Sequence, residues 1–357
     1  MDVLDFAESF ALRYRAYKGG AWCYEDGCLY RALVLLHQTT GQARWLDLLI
    51  RLTDPQIAPD GTLFGYLPTE YNIDNILAGR CLFHLSQETG DPRYLKAAQR
   101  LADQLRHHPR TSTGNYWHKQ IYPNQVWLDG LYMGLPFQIE WGVATGDSGL
   151  VRDAVLQFKT ALELTRRPDG LYAHACDVSR KMPWCDPVTG HSHTLWSRSL
   201  GWLAMALVDS LQLLPDDLSG ELAPSAAAFL KSAARYQTDT GRWWQITDRP
   251  HLPGNYLESS ATAMFAYAFQ VAERLGLCPG AKDIGIRALN ALSDTALSPD
   301  SDGVVRLHDI CAVAGLGGAN VLRDGTPTYY LSEPVVADDV KGVGPFLMAV
   351  AESLRSA

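Results

Sequence analysis

Thr40-Gly41, Thr89-Gly90-Asp91 and Thr145-Gly146-Asp147 recur along the first half of the chain, each closing one apolar, helix-periodic stretch and opening another. Glycine suits the left-handed position just past a helix end, and there it permits a tight connection to the next helix. A large side chain follows four residues after each glycine: Trp45, Tyr94 and Leu150. Gly41 to Gly90 spans 49 positions and Gly90 to Gly146 spans 56, so the repeat is a helical hairpin of about fifty residues.

Reading outward at a period of 3.6 predicts about twelve helices in six pairs. The pairs are 28–40 with 43–53, 75–89 with 92–107, and 129–145 with 148–166. They continue as 196–213 with 220–237, 257–275 with 281–297, and 340–355 with 2–16. The last pair joins the two ends of the sequence, as closing a ring requires. Alternating Val/Ile-rich runs are scarce, so strands are expected to be few. An open solenoid would repeat more regularly and carry polar caps. The long, irregular connections are instead those of site-building loops. The expected fold is all-α, an (α/α)6 double-ring barrel formed as one domain over 1–357.

Composition excludes several classes of function. Of 357 residues, 47% are apolar and 20% charged, enough for a large core. A net charge of −8 without a clustered Lys/Arg footprint argues against nucleic acid. No run reaches the ~20 apolar residues of a membrane span, and Met1-Asp2-Val3-Leu4-Asp5 lacks the start of a signal peptide. Seven scattered cysteines without a Cys-x-x-Cys pair read as reduced, mostly buried thiols. The expected address is the cytoplasm, with no nucleic-acid or membrane partner; the oligomeric state is not legible.

Measured backward from the turn glycines, Glu25 lies 16 residues before Gly41, Asp74 16 before Gly90, and Asp129 17 before Gly146. Each opens the first helix of its hairpin, and in a ring those starts converge on one mouth. An acid in a first turn also complements the helix dipole, which accounts for Glu25 equally well. Asp74 and Asp129 have more telling neighbours: Tyr71-Asn72-Ile73-Asp74-Asn75, Trp117-His118-Lys119, and Asn124-Gln125-Val126-Trp127-Leu128-Asp129 through Met133. Aromatic faces stack on sugar rings and polar groups fix hydroxyls. A carboxyl desolvated by such walls, or set beside a second carboxylate, is pushed upward and donates a proton near neutrality. The fourth hairpin opens with Trp196-Ser197-Arg198-Ser199-Leu200-Gly201-Trp202, where an arginine between tryptophans either grips a carboxylate or makes a buried salt bridge. His174 is a further possible donor, although a lone histidine is commonly structural.

Other motifs carry no chemistry. His191-Ser192-His193 has no third ligand at a metal-binding spacing. The glycines of Gly315-Leu316-Gly317-Gly318 and Lys341-Gly342-Val343-Gly344 lack a phosphate-loop context, and no Gly-x-Ser-x-Gly elbow is present. No metal or other cofactor is inferred.

Taken in order, these blocks resemble the unsaturated rhamnogalacturonyl hydrolases, glycoside hydrolase family 105. The resemblance runs over nearly the whole chain. It includes Tyr71–Asp74, Trp117–Lys119 through Met133-Gly134-Leu135-Pro136-Phe137, Trp196–Trp202, Gly254-Asn255-Tyr256-Leu257-Glu258-Ser259-Ser260, Gly315–Gly318, Tyr329-Tyr330-Leu331-Ser332-Glu333 and Lys341–Phe346. It implies the same (α/α)6 barrel, with Asp129 as general acid/base and Asp74 as a second active-site aspartate. It implies that His118, Lys119, Trp127, Met133, His174, Arg198 and Trp202 are pocket residues; Tyr24 and Trp196 complete the expected substrate-binding set. The implied reaction removes a 4,5-unsaturated uronic acid from the non-reducing end of a small pectin-derived sugar, by hydrating its C4=C5 bond. Arg198 or Lys119 suits the uronate carboxylate. Ser197 stands where relatives often carry glycine, which bears on the aglycone rim. The competing expectations are a conventional inverting glycosidase or sugar epimerase on the same fold, and a non-catalytic carbohydrate-binding toroid.

Overall fold

Gly41, Gly90 and Gly146 all adopt left-handed backbone, with φ of 65°, 71° and 72°. In each turn the preceding threonine hydroxyl donates back to a carbonyl four residues earlier: Thr40 to Leu36 (2.7 Å), Thr89 to Leu85 (2.7 Å) and Thr145 to Trp141 (2.8 Å). Asp91 and Asp147 then accept from the first backbone N–H groups of the next helix, which would otherwise lack partners. The repeat is thus one turn design used three times.

The computed structural model describes residues 3–317 and 323–355. Its helices are α1 (Val3–Arg13), α2 (Tyr24–Thr40), α3 (Ala43–Thr53), α4 (Arg80–Thr89), α5 (Pro92–His107), α6 (Leu128–Thr145), α7 (Ser148–Thr165), α8 (Ser197–Leu211), α9 (Asp216–Ala234), α10 (Ser259–Arg274), α11 (Ala281–Thr295), the short α12 (Pro327–Ser332) and α13 (Val340–Arg355). Helices α2, α4, α6, α8, α10 and α13 form an inner ring in that order, and α13 packs back on α2 to close it. Helices α1, α3, α5, α7, α9 and α11 lie outside, giving the (α/α)6 double ring. Phe6 against Phe346 (6.2 Å) ties α1 to α13, so the last and first helices form the sixth hairpin.

Burial follows from this arrangement. Every residue of α8 is buried, because an inner helix is covered on all sides. The outer helix α5 shows a single apolar stripe through Tyr94, Ala97, Ala98, Leu101 and Leu105. Inside the ring, Arg80 pairs with Asp209, which also accepts from Tyr267 (2.6 Å). Above this buried group Tyr132 stacks on Trp202 at 5.2 Å. Six cysteines are buried and Cys278 is half-buried.

Several boundaries depart from the periodicity: α2 starts at Tyr24, four residues before the predicted 28, and α1 ends at Arg13, three before the predicted 16. The segment predicted as helix from residue 75 begins with a tighter 3-10 stretch, Ile73–Gly79, before α4 starts at Arg80. Asn72 caps this stretch by accepting from the Asp74 N–H at 3.1 Å, and Gly79 sits against Leu101 and Phe137 where no side chain fits. Helix α9 starts at Asp216, four residues before the predicted 220, because Asp216 and Asp217 favour a helix N-terminus. Of the residues expected in family blocks and helices, Asp2 and Gly318 lie outside the described residues.

Strands are few and short. Antiparallel pairs join β1 (Gln125–Trp127) to β2 (Ala175–Asp177), β3 (Trp243–Trp244) to β4 (Leu257–Glu258), β5 (Leu297–Pro299) to β6 (Val305–Leu307), and β7 (Ile310–Cys311) to β8 (Val335–Val336). They brace the loops at the mouth where the inner helices start.

Candidate active site

The first turns of five inner segments meet around a cavity of about 160 Å³. Tyr24 and Glu25 come from α2, Asp74 from the 3-10 stretch before α4, and Asp129 and Met133 from α6. Trp196, Arg198 and Trp202 come from the start of α8, and Lys341 from α13. The convergence expected from the glycine spacings is therefore present.

The two aspartates have different surroundings. Asp74 pairs with the Lys119 ammonium at 2.6 Å, and the His118 Nε2 lies 3.5 Å from its other oxygen. Burial alone would push this carboxyl up, but Lys119 and His118 outweigh it and hold it below the usual carboxylate range. That is opposite to the upward shift expected for a carboxyl in aromatic walls, because the walls bring a cation with them. Asp74 is the fixed anion of the site. Asp129 has no such clamp. Its Oδ2 lies 3.1 Å from His174 Nε2, yet neither atom has an aligned hydrogen-bond partner among the described residues. The β1–β2 ladder sets this pair, since Trp127 faces Ala175 and the Leu128 N–H donates to the His174 carbonyl at 2.9 Å.

One wall is aromatic. His118 stacks on Trp127 with ring centres 4.3 Å apart and planes within 6°, and Tyr122 stacks on Trp127 at 5.1 Å. Burial brings His118 down to about 4, outweighing the pull of Asp74, so it is neutral at physiological pH. Trp196 and Trp202 also line the cavity.

Eight of the nine expected substrate-binding residues line the cavity: Tyr24, His118, Lys119, Trp127, Met133, Trp196, Arg198 and Trp202. His174 does not. It is fully buried, with Nδ1 2.7 Å from the Tyr330 hydroxyl and Nε2 toward Asp129, not the cavity. Arg198 borders the cavity, but its guanidinium is held from behind: Nε donates to Ser260 Oγ (2.6 Å), and Nη2 to the Cys311 carbonyl and to Glu258 (3.5 Å). The buried salt bridge is formed, and Nη1 makes no hydrogen bond among the described residues. Glu258 also accepts from the Ala261 N–H (2.7 Å), so it caps α10 while anchoring Arg198. Glu25 pairs with Lys18 at 3.1 Å. His191 Nε2 donates to the Leu164 carbonyl (2.7 Å), consistent with a structural histidine.

Sequence reasoning missed Lys18, Tyr122, Val313, Ala314 and Arg323 as cavity residues, and gave Gly315 and Lys341 no side of the pocket. Tyr122 and Lys341 sat within blocks already singled out. Arg323 lies in a connection with no periodic pattern, so nothing in the sequence aimed it at the mouth.

The model of the Glycosyl Hydrolase Family 88 matches residues 6–357. The chain belongs to this family and is a glycoside hydrolase. A solved family 105 glycoside hydrolase from C. acetobutylicum ATCC 824 shares 36% identity, with a TM-score of 0.90 over 94% of each chain. The resemblance to family 105 is borne out there. Among curated proteins, Protein Atu3128 of Agrobacterium fabrum is 52% identical over 229 residues, 62% of this chain and 98% of that one. The unsaturated rhamnogalacturonyl hydrolase YesR of Bacillus subtilis is 27% identical over 269 residues, 71% of this chain and 72% of that one.

Proposed function

We propose that this glycoside hydrolase releases a 4,5-unsaturated uronic acid from the non-reducing end of lyase-generated rhamnogalacturonan disaccharides. The observation that carries the reading is the division between the two aspartates: Asp74 is locked in an ion pair, while Asp129 faces the cavity with only a histidine behind it. The name of the similar YesR supports the pectin-derived substrate.

In this reading Asp129, as the acid, donates its proton to C4 of the vinyl ether, and positive charge develops at C5. The Asp129 carboxylate then takes a proton from water as that water bonds to C5. The resulting C5 hemiketal opens to a ketone; its ring oxygen becomes part of a hemiacetal at C1, which collapses and expels the neighbouring sugar. The fixed Asp74 anion favours the cationic C5 centre, and the Trp127, Trp196 and Trp202 faces hold the ring. His174 orients the Asp129 carboxyl and, with Tyr330 on its other nitrogen, keeps a set ring position. We take 1–357 as one catalytic barrel acting in the cytoplasm on small sugars, without nucleic acid or membrane as partner. In keeping with this, no helix among the described residues is long and apolar enough to cross a membrane.

The test is turnover of unsaturated galacturonyl-rhamnose in deuterated water, followed by loss of the double bond's ultraviolet absorbance. Deuterium is expected at C4, and saturated counterparts should not react. Asp129→Asn should keep the fold and lose turnover by at least 10²–10⁴-fold, the usual contribution of a general acid–base group. Equal turnover of saturated glycosides would establish a conventional glycosidase instead, and product without deuterium at C4 would remove the hydration step.

A further inference from the structure

The cavity is short of uncommitted positive charge. Five basic residues line it: Lys18, Lys119, Arg198, Arg323 and Lys341. Four are engaged by the protein itself. Lys18 pairs with Glu25 (3.1 Å), Lys119 with Asp74 (2.6 Å), Lys341 with Asp339 (2.8 Å), and Arg198 with Glu258, Ser260 and the Cys311 carbonyl. Arg323 alone makes no side-chain hydrogen bond or ion pair among the described residues, and its buried Nε has no hydrogen-bond partner. The neighbouring residues 318–322 are Gly, Ala, Asn, Val and Leu, which contain no acid.

Backbone geometry holds Arg323 at the cavity. The Gly317 N–H donates to the Arg323 carbonyl at 2.8 Å. A Cβ on Gly315 would stand 3.0 Å from Arg323 Nη1 and 3.5 Å from the Trp127 ring, so the guanidinium passes over the bare Gly315 backbone beside the aromatic wall. A half-buried guanidinium with no partner among the described residues, next to a stacking surface, is arranged to take a planar anion through two parallel hydrogen bonds. The proposed substrate carries one such anion, the carboxylate on C5.

We propose that Arg323, and not Arg198 or Lys119, binds the uronate carboxylate and makes the enzyme selective for an acidic sugar. This rests on the function proposed above. Arg198 and Lys119 then have internal duties: one ties α8 to α10, and the other keeps Asp74 ionised. Because Arg323 holds a group that keeps its charge throughout the reaction, its loss should raise KM more than it lowers kcat.

The experiment compares unsaturated galacturonyl-rhamnose with its methyl ester, which lacks the charge. Wild type is expected to prefer the acid. Arg323→Gln should raise KM for the acid by roughly 10- to 100-fold, the scale of a lost charge-assisted hydrogen-bond pair, and abolish the preference. Arg323→Lys should recover part of it. Calorimetric titration of both compounds into Asp129→Asn, with and without Arg323→Gln, reads binding apart from turnover. An unchanged acid-to-ester ratio in Arg323→Gln overturns the assignment. If wild type turns over neither compound, the functional reading fails; the titration then decides Arg323 by itself, and acid binding that survives Arg323→Gln overturns it.

Discussion

Asp74 and Asp129 occupy equivalent places in the repeat, and only their neighbours separate them. Lys119 does most to hold the Asp74 carboxyl down against its burial. In Lys119→Met that burial would be opposed chiefly by His118, so the carboxyl should rise. The acidic limb of the kcat/KM profile should accordingly move to higher pH, because the anion is lost earlier as pH falls. Asp74→Asn should show no such limb. A Lys119→Met profile that overlays wild type would detach Asp74 from the chemistry. Both carboxylates were legible as fixed distances before a glycine, since a helix start is a local property of sequence. The commitments of Arg198 were not: Ser260 and Cys311 stand 62 and 113 residues away, and only the folded ring shows that they hold its Nε and Nη2.

The first three hairpins were legible because each turns on a glycine whose backbone most residues avoid. Helix ends at 43–53, 92–107 and 340–355 coincide with prediction. The 3-10 opening at Ile73–Gly79 was not foreseen, because it answers to tertiary crowding at Gly79 and not to periodicity. Two glycines separate these influences. Gly90 is left-handed and open, with nothing within 4 Å of an added Cβ. Gly344 is helical, but its Cβ would meet the Cys28 carbonyl oxygen at 2.6 Å, where α13 crosses α2. Gly90→Ala should therefore cost about 1 kcal/mol through backbone strain alone. Gly344→Ala should cost about 1–3 kcal/mol or more, since it wedges the ring seam. Urea unfolding of the two variants checks the order, and a Gly344→Ala protein as stable as Gly90→Ala would mean that the seam yields freely.

The assembled barrel also stores a pH dependence. Burial holds His108 and His118 down to about 4 and lowers His84, against an ordinary value of 6.5. These rings stay neutral in the fold, while the unfolded chain takes up protons below 6.5. The stability they contribute is present above 6.5 and is lost as pH falls toward 4. By pH 5, His108 and His118 should each have withdrawn about 2 kcal/mol. The urea midpoint should drop clearly between pH 7.5 and pH 5, and a flat midpoint would show that these rings are charged in the folded protein.

The joint between α2 and α13 also has a place in time. Tyr24 and Val340, which open the two helices, are 340 − 24 = 316 residues apart, so one face of the seam leaves the ribosome long before the other exists. At about 5–20 residues per second, the wait is on the order of 15–60 s. Throughout it, the side of α2 that α13 will cover, including Cys28, has no permanent partner. Until the final helix arrives the ring cannot close, and that edge of α2 stays open to solvent or to whatever else meets it.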